Sequence, residues 1–409
     1  MSPRPVEVTP FVIVLVGKPA RGKSYTARKL TNYLNWLGYQ ARVFNVGSYR
    51  RKRLGAGQDA SFFDPNNASG FSARRQMAVE ALDDLVQWMK GGGKVALYDA
   101  TNSTRERRAW VRRRCEAESL QVVFLELQAD DPALIEANIR RTKVTSPDYQ
   151  DVAPEDAVSD FRRRLGHYEA VYEPVDESEG AFLRVVDVGR MVVMHRIEGH
   201  LPLRMVPFLA KLHLTPRPIF FCRHGQSLYN LEQRVGGDPD LSPKGQAFAS
   251  NLARHVDTLI ARDAPHTIWT STLRRTRQTA ERLARPNRAW KLLDEIDAGR
   301  LDGLTYEEIE RRYPEEFAAR SADKYRYRYP QGESYEDLIA RLDPVVLECE
   351  RQEHPVLIVA HQAVLRALWS YFAPLAPEQC PYTPIDLHTL FKVTPSAYGT
   401  RIEPTFLGP

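Results

Sequence analysis

A chain of 409 residues is too long for one ordinary core, so two domains of about 200 residues each are expected. Hydrophobic content of 43% and charged content of 27% are those of a soluble globular protein, and the net charge of +5 is mild. The 57 basic residues divide into 12 lysines and 45 arginines, and arginine forks suit bidentate phosphate recognition. Basic runs are short (Arg50 to Arg53, Arg112 to Arg114, Arg162 to Arg164), which speaks against the clustered stripe that a nucleic-acid partner requires. The four cysteines, Cys115, Cys222, Cys349 and Cys380, form no C-x-x-C pair, which argues against a zinc site or a disulfide framework and suits a reducing compartment. No basic-then-apolar leader opens the chain. The apolar stretch 191–214 is interrupted by His195, Arg196, Glu198, His200, Arg204, Lys211 and His213 and cannot readily cross a bilayer. A cytoplasmic protein is the expectation, with no membrane and no nucleic acid among its partners.

The first apolar run, Phe11 to Val16, has strand length and the composition of a central parallel strand buried on both faces. Leu30, Tyr33, Leu34 and Leu37 then recur at helical spacing, with Gly38 placed to end the helix. Further strand-like runs lie at Val43-Phe44, Val95 to Tyr98, Val122 to Leu125 and Leu183 to Val186, with helical patterns between most of them. That alternation predicts a mainly parallel α/β sheet. Pro216 and Pro218 bound a short linker, which sets expected domains at 1–214 and 215–409. A second α/β series follows. Ile219 to Cys222 is a strand, Ser242-Pro243 starts a helix whose buried face carries Phe248, Leu252, Val256 and Leu259, and Val356 to Ala360 is another buried strand.

Between the first strand and its helix stands Gly17-Lys18-Pro19-Ala20-Arg21-Gly22-Lys23-Ser24, which fits G-x-x-x-x-G-K-[ST]. Such a loop turns backbone N–H groups onto phosphate oxygens, Lys23 reaches the β- and γ-phosphates and Ser24 holds Mg²⁺. Asp99 ends the third strand, where it can bind metal or orient an acceptor hydroxyl; the bland alternative is a helix N-cap. Lys143, after the helical stretch Ala133 to Arg141, can fold over the nucleotide. Phosphoryl transfer needs positioning and charge neutralisation more than covalent help, so the Arg and Lys residues near Asp99 are fitting equipment.

The second half carries Arg223-His224-Gly225 at one strand end and His361 at another. A neutral, oriented histidine can accept a phosphoryl group when cations hold the transferring oxygens. Arg223 and Arg275 supply guanidinium groups, Glu295 can protonate the leaving oxygen and His361 completes the clamp. No metal is needed for that chemistry.

These residues bring a family into view. The chain resembles the bifunctional 6-phosphofructo-2-kinase/fructose-2,6-bisphosphatases over roughly residues 10–405. Beyond the generic motifs, the likeness is carried by Gly17 to Tyr25, Tyr33 to Gly38, Asp99 to Arg108, Ser146 to Tyr149, Glu295 to Gly299, Tyr313 to Phe317, Tyr327 to Pro330 and Gly332 to Tyr335. The resemblance implies a P-loop domain followed by a phosphoglycerate mutase-like histidine-phosphatase domain. It implies ATP and Mg²⁺ in the kinase half, no cofactor in the phosphatase half, and sugar phosphates as partners, with a homodimer left open. By position it implies that Gly17, Lys18, Pro19, Ala20, Arg21, Gly22, Lys23, Ser24, Tyr25, Asn138, Lys143 and Tyr398 contact nucleotide. Asp99 matches the catalytic aspartate. Arg50, Arg74, Thr101, Arg107, Arg164 and Tyr168 match contacts to fructose 6-phosphate. His224 matches the phosphorylated histidine and Glu295 the proton donor, while Arg223, Arg275 and His361 match the phosphate clamp. Asn230, Gly236, Tyr306, Arg320, Lys324, Tyr335, Gln362 and Arg366 match residues that hold the bisphosphate.

Three departures stand out. Ala129 replaces a cysteine usual near the kinase site, and kinase activity is expected to survive because a thiol is not required. Gln226 replaces the glutamate usual after R-H-G and removes a charge near the phosphohistidine. Arg300 to Thr305 reads like generic histidine phosphatases, which bears on the phosphatase rate. The competing readings are a P-loop small-molecule kinase fused to a broad-specificity histidine phosphatase, and a non-catalytic nucleotide-binding scaffold.

Overall fold

A computed structural model of the chain describes residues 9–143, 146–213, 217–373, 375–396 and 399–409, without the side chains of residues 142 and 143. The described residues form two compact units, residues up to 35 and 39–213 in the first, residues 36–38 and those from 217 onward in the second.

The first unit is built on a six-stranded sheet of order β2-β3-β1-β4-β5-β6. Its strands are β1 (Phe11–Val16), β2 (Ala41–Asn45), β3 (Val95–Asp99), β4 (Gln121–Gln128), β5 (Phe182–Val186) and β6 (Met191–His195). β1 lies between β3 and β4, parallel to both, and all six of its residues are buried, as its unbroken apolar run requires. Only the edge strand β6 runs antiparallel in this sheet. The helices are α1 (Lys23–Trp36), α2 (Val46–Leu54), α3 (Ala68–Lys90), α4 (Arg105–Glu116), α5 (Pro132–Asn138), α6 (Pro154–Glu169) and α7 (His200–Lys211). Gly38, at φ 88°, takes the chain out of α1. The apolar stretch from Met191 is two elements, β6 and α7, because Arg196 (φ 50°) and Gly199 (φ 86°) turn the chain between them. Val12, Val14, Phe44, Leu85, Val86 and Phe124 pack in one core. Burying each such side chain stabilises by about 1.5–3 kcal/mol, which is what holds the strand ends in fixed register. β2 and β3 are parallel, and their register sets Asn45 beside Asp99. Both therefore leave the sheet at its carboxyl edge, next to the loop that follows β1.

The second unit has a sheet of order β12-β11-β7-β10-β8-β9. Its strands are β7 (Ile219–Arg223), β8 (Thr267–Thr270), β9 (Arg288–Ala289), β10 (Val356–Ala360), β11 (Thr389–Ser396) and β12 (Gly399–Phe406). β7 and β10 are adjacent and parallel, with Arg223 opposite Ala360, so the residues that follow them, His224 and His361, emerge side by side. The helices are α8 (Leu228–Leu231), α9 (Pro243–Leu259), α10 (Arg274–Glu281), α11 (Tyr306–Arg312), α12 (Pro314–Ala322), α13 (Tyr335–Arg351) and α14 (Gln362–Phe372). Ser242 caps α9 as expected, its Oγ accepting from Gly245 N at 3.2 Å. Phe248, Leu252 and Val256 are buried, but Leu259 is 43% exposed, contrary to expectation. It is the last residue of α9, and Ile260, beyond the helix end, takes the core position instead. The antiparallel pair β11 and β12 completes the sheet beyond β7.

Candidate active sites

The loop after β1 needs its glycines. Gly17 has φ 140°, and a Cβ there would stand 2.5 Å from the Leu127 carbonyl oxygen; Gly22 has φ 84°. Gly17 N donates to Thr101 O (3.1 Å), which ties the loop to the segment after β3, and Asn138 Nδ2 donates to Ala20 O (3.1 Å) from α5. Lys23 Nζ folds back to donate to Lys18 O at 2.7 Å. Lys18 Nζ lies 3.7 Å from Asp130 and 3.8 Å from Glu169, and Arg21 lies 3.8 Å from Glu169 while donating to Pro19 O. Tyr25 is buried behind the loop. Asn138 is thus a brace of the loop backbone. The side chain of Lys143, and all of Tyr398, lie outside the described residues.

Ser24 is exposed at the start of α1, and Asp99 is buried at the end of β3. One side chain joins them. Asn45 Nδ2 donates to an Asp99 carboxylate oxygen and stands 3.4 Å from Ser24 Oγ. Asn45 Oδ1 meanwhile accepts from Ser48 N (2.9 Å) and so caps α2. Sequence reading passed over Asn45, because only the β2–β3 register brings it to Asp99. Asp99 is not the cap of the next helix. Thr104 caps α4, accepting from Arg107 N at 3.2 Å.

Arginines gather round the short 3₁₀ turn Ala60–Phe63. The Arg164 guanidinium lies 3.5 Å over the Phe63 ring, and Arg50 lies 5.3 Å over the same ring. Tyr168 stands against Phe63, with ring centroids 6.4 Å apart, and Arg74 donates to Phe62 O. Burial lowers the Arg50 pKa, and Asp148, its close ion-pair partner, works against that shift. Arg50 Nε and Nη1 and Arg164 Nε are buried without hydrogen-bond partners, donors suited to an incoming phosphate. Arg50, Arg74, Arg164 and Tyr168 are therefore one constellation. Arg107 instead donates to Tyr98 Oη (2.9 Å) and stacks 4.3 Å over Trp110, beyond Thr101 at the end of β3.

In the second unit, His224 N donates to Ala360 O (3.0 Å), and the His224 and His361 rings lie 5.2 Å apart. His224 Nδ1 is 2.8 Å from Gly225 O. A carbonyl only accepts, so Nδ1 carries the proton and Nε2 keeps its lone pair. Arg275 Nε donates to that Nε2 (3.2 Å), while its Nη1 donates to Gly237 O (2.6 Å). Burial, then the charges of Arg275 and Arg223, push the His224 pKa well below its ordinary value. The His361 pKa is lowered first by burial, then by Arg275 and His224. His361 Nε2 meets Ser271 Oγ at 2.7 Å. His361 Nδ1 and Arg223 Nε are buried and without a hydrogen-bond partner. Burial also lowers the Arg223 pKa, to about 10, with Glu295 opposing the shift. Glu295 accepts from the backbone N–H of Ala363 (3.2 Å), in the first turn of α14, and of Ile296 (2.9 Å).

The remaining expected contacts fall into groups. Arg320 donates to Tyr329 Oη (2.9 Å) and Tyr306 Oη (3.0 Å). Lys324 has a pKa lowered to about 8 by burial and by the neighbouring Arg366 and Arg320. Arg366 donates to Thr383 O (2.7 Å) and interacts with the buried Tyr335. Gln362 is half-buried at the start of α14. Asn230 is engaged in a capping box with Ser227, its Oδ1 accepting from Ser227 N at 2.9 Å. Gly236 has φ 71°, and a Cβ there would fall 1.5 Å from Asp302 Oδ1, the same oxygen that accepts from Gly237 N at 2.8 Å. The divergent segment Arg300 to Thr305 thus braces the glycine loop. Gln226 accepts at Oε1 from Ser242 Oγ (2.9 Å). Ala129 is buried just beyond β4.

Sheet, glycine loop and paired histidines define the class: a P-loop kinase-type domain joined to a histidine-phosphatase domain. Residues 2–216 match the family described as 6-phosphofructo-2-kinase, and residues 219–405 match the histidine phosphatase superfamily, branch 1. The chain belongs to the 6-phosphofructo-2-kinase/fructose-2,6-bisphosphatase family. It is 48% identical to 6-phosphofructo-2-kinase/fructose-2,6-bisphosphatase 4 of Rattus norvegicus, over 97% of this chain and 85% of that one. It is 46% identical to form 3 of Homo sapiens, over 98% and 77% of the two chains. Among solved structures, the mycobacterial glucosyl-3-phosphoglycerate phosphatase matches 47% of this chain and 99% of its own at 26% identity and a TM-score of 0.39. The alpha-ribazole phosphatase from Shigella flexneri matches 47% and 96% at 19% identity and a TM-score of 0.41.

Proposed function

We propose that this chain both synthesises and hydrolyses fructose 2,6-bisphosphate, with one reaction in each unit. In the first, the loop Gly17 to Ser24 cradles the phosphates of ATP, and Lys23 leaves Lys18 O to meet them. Ser24 and Asp99, two hard oxygen donors joined by Asn45, fit Mg²⁺, which would neutralise phosphate charge when bound with ATP. Arg50, Arg74 and Arg164 receive the 6-phosphate of fructose 6-phosphate, with Thr101, Arg107 and Tyr168 alongside. Asp99 orients the 2-hydroxyl and takes up its proton as the γ-phosphoryl moves to that oxygen.

In the second unit, His224 Nε2 attacks the phosphorus of the 2-phosphate and the P–O bond to C2 breaks. Glu295 protonates the departing 2-oxygen. Water then attacks the phosphohistidine and yields its proton to Glu295, releasing phosphate and restoring His224. Arg223, Arg275 and His361 hold the transferring oxygens, while Arg320, Lys324 and Arg366 hold the rest of the bisphosphate. The observation that carries this reading is the fixed tautomer of His224, whose unprotonated Nε2 faces Arg275.

Among the described residues, no helix is long and apolar enough to cross a membrane. Cys115, Cys222, Cys349 and Cys380 are all buried thiols, which supports a cytoplasmic setting. The test is His224→Ala. It should lower hydrolysis of fructose 2,6-bisphosphate by about 10³-fold or more and leave synthesis intact. Unchanged hydrolysis, or no labelling of His224 by substrate radioactive at the 2-phosphate, would overturn the assignment. Equal turnover of unrelated phosphomonoesters would favour the broad-specificity reading instead.

A further inference from the structure

We infer that His388 is a positioning residue of the bisphosphatase reaction, acting on His224 through one peptide group; the inference rests on His224 as the phosphoryl acceptor. The peptide joins Gly225 to Gln226. Its carbonyl oxygen meets His224 Nδ1 at 2.8 Å, and its N–H donates to His388 Nε2 at 3.4 Å. A trans peptide points C=O and N–H in opposite directions, so the two imidazoles hold it from opposite edges. Close packing sets its place. A Cβ on Gly225 would stand 2.5 Å from Gly245 O, and one on Gly245 would stand 2.2 Å from Gln226 O. Gly225 N also donates to Thr279 Oγ1 (3.0 Å), and Ser242 N donates to Gln226 O (2.8 Å). His388 is held as firmly. It precedes β11 in a left-handed backbone, φ 61°, a conformation that residues other than glycine take rarely and that recurs at functional positions. Its carbonyl accepts from Leu407 N (2.9 Å), and its ring lies against Phe248 of α9, with centroids 4.9 Å apart. Burial, then the charges of Lys244 and Arg223, hold its pKa below the ordinary value, so the ring is neutral at pH 7. A neutral ring that accepts at Nε2 carries its proton on Nδ1, and a flipped ring would set a C–H against the same N–H. Hydrogen bonds in a chain polarise one another. His388 therefore strengthens the Gly225 carbonyl as acceptor for His224 Nδ1–H. That bond in turn leaves the lone pair on His224 Nε2, the atom that attacks phosphorus.

Two substitutions separate an accepting side chain from one that only fills space. Glutamine can place an amide oxygen near the position of Nε2, whereas leucine fills the site and accepts nothing. Both meet the same left-handed backbone, so that strain is common to the pair. His388→Gln should keep the bisphosphatase kcat within about threefold. His388→Leu should lower it about 30-fold, with KM for fructose 2,6-bisphosphate changed less than about threefold and the 2-kinase rate unchanged. Nitrogen NMR of histidine-labelled protein, without turnover, supplies a second readout. In the parent, His224 should be protonated at Nδ1 alone and His388 should keep a bare Nε2. In His388→Leu, His224 should show a mixture of tautomers. A proton on His388 Nε2 in the parent would overturn the inference, whether or not either variant folds. Full kcat in His388→Leu beside an inactive His224→Ala would also overturn it and leave the phosphohistidine assignment standing. An active His224→Ala would instead overturn the role of His224 itself. Equal losses in both variants, with the His224 tautomer unchanged, would reduce His388 to a packing residue.

Discussion

His224 and His361 leave adjacent parallel strands and bring their rings to 5.2 Å at a 58° tilt, with Arg275 donating to Nε2 of the first. Two imidazoles and two guanidiniums share one buried corner, so neither ring can carry a proton cheaply.

The first prediction follows from that neutrality. Both folded pKa values lie below the ordinary histidine value, while in the unfolded chain both rings take up protons near pH 6.5. The stabilising contribution is therefore complete above about pH 6.5 and is lost as pH falls from there towards the folded pKa values. The urea midpoint should drop between pH 7 and 5.5. Proton NMR should show both rings still neutral near pH 6, and saturating phosphate should move at least one towards the imidazolium form. A ring that titrates at pH 6.5 in the free protein would contradict the burial argument.

Lys324 gives a second pH signature. With a free-enzyme pKa of about 8, its ammonium is lost as pH rises through that value. The kcat/KM of the bisphosphatase should fall along a basic limb near pH 8, through KM more than kcat. Lys324→Arg, which stays charged, should abolish the limb.

The Phe63 shelf is testable through the acceptor. Arg164→Ala should raise KM for fructose 6-phosphate by about 10- to 100-fold, the loss of a charge-assisted hydrogen bond, and leave KM for ATP nearly unchanged. Phe63→Leu should do the same more weakly, by about fivefold, because Arg164 loses a ring that lies 3.5 Å beneath it. Equal effects on both substrates would mean that the arginines do not face the sugar phosphate.

The glycine loop of the phosphatase supplies the fourth prediction. Gly236→Ala combines a left-handed backbone, costing about 1–2 kcal/mol, with a collision against Asp302. It should lower kcat/KM more than tenfold. Asp302→Ala frees the Gly237 N–H and should raise KM only a few-fold. A Gly236→Ala enzyme with unchanged kinetics would show that the loop can move aside.

Much of this was legible in the chain. The loop Gly17 to Ser24 and the strand-end histidines are local patterns, and the buried runs Phe11 to Val16 and Val356 to Ala360 predict the strands that present them. What escaped depends on register or on tertiary neighbours. Asn45 ends an ordinary short strand, and nothing local marks it as a partner of Asp99, 54 residues away. Phe63 sits in a 3₁₀ turn without periodicity, so its use as a shelf for Arg50 and Arg164 is set by where α2 and α6 pack. Leu259 was placed in the core by its spacing, but the helix ends there and the neighbouring Ile260 is buried instead. Gln226 reads as a missing charge in sequence. In the structure its side chain is bonded to the residue that caps α9.

Asn45 also places fold maintenance and chemistry in competition within one side chain. Aspartate is at least as good at a helix N-terminus, where the dipole favours its charge. Selection on folding alone would therefore accept Asn45→Asp. The same change would set a second carboxylate against Asp99, so selection on the kinase reaction would reject it. A library sorted first for thermal endurance and then for turnover should enrich that substitution in the first round and purge it in the second.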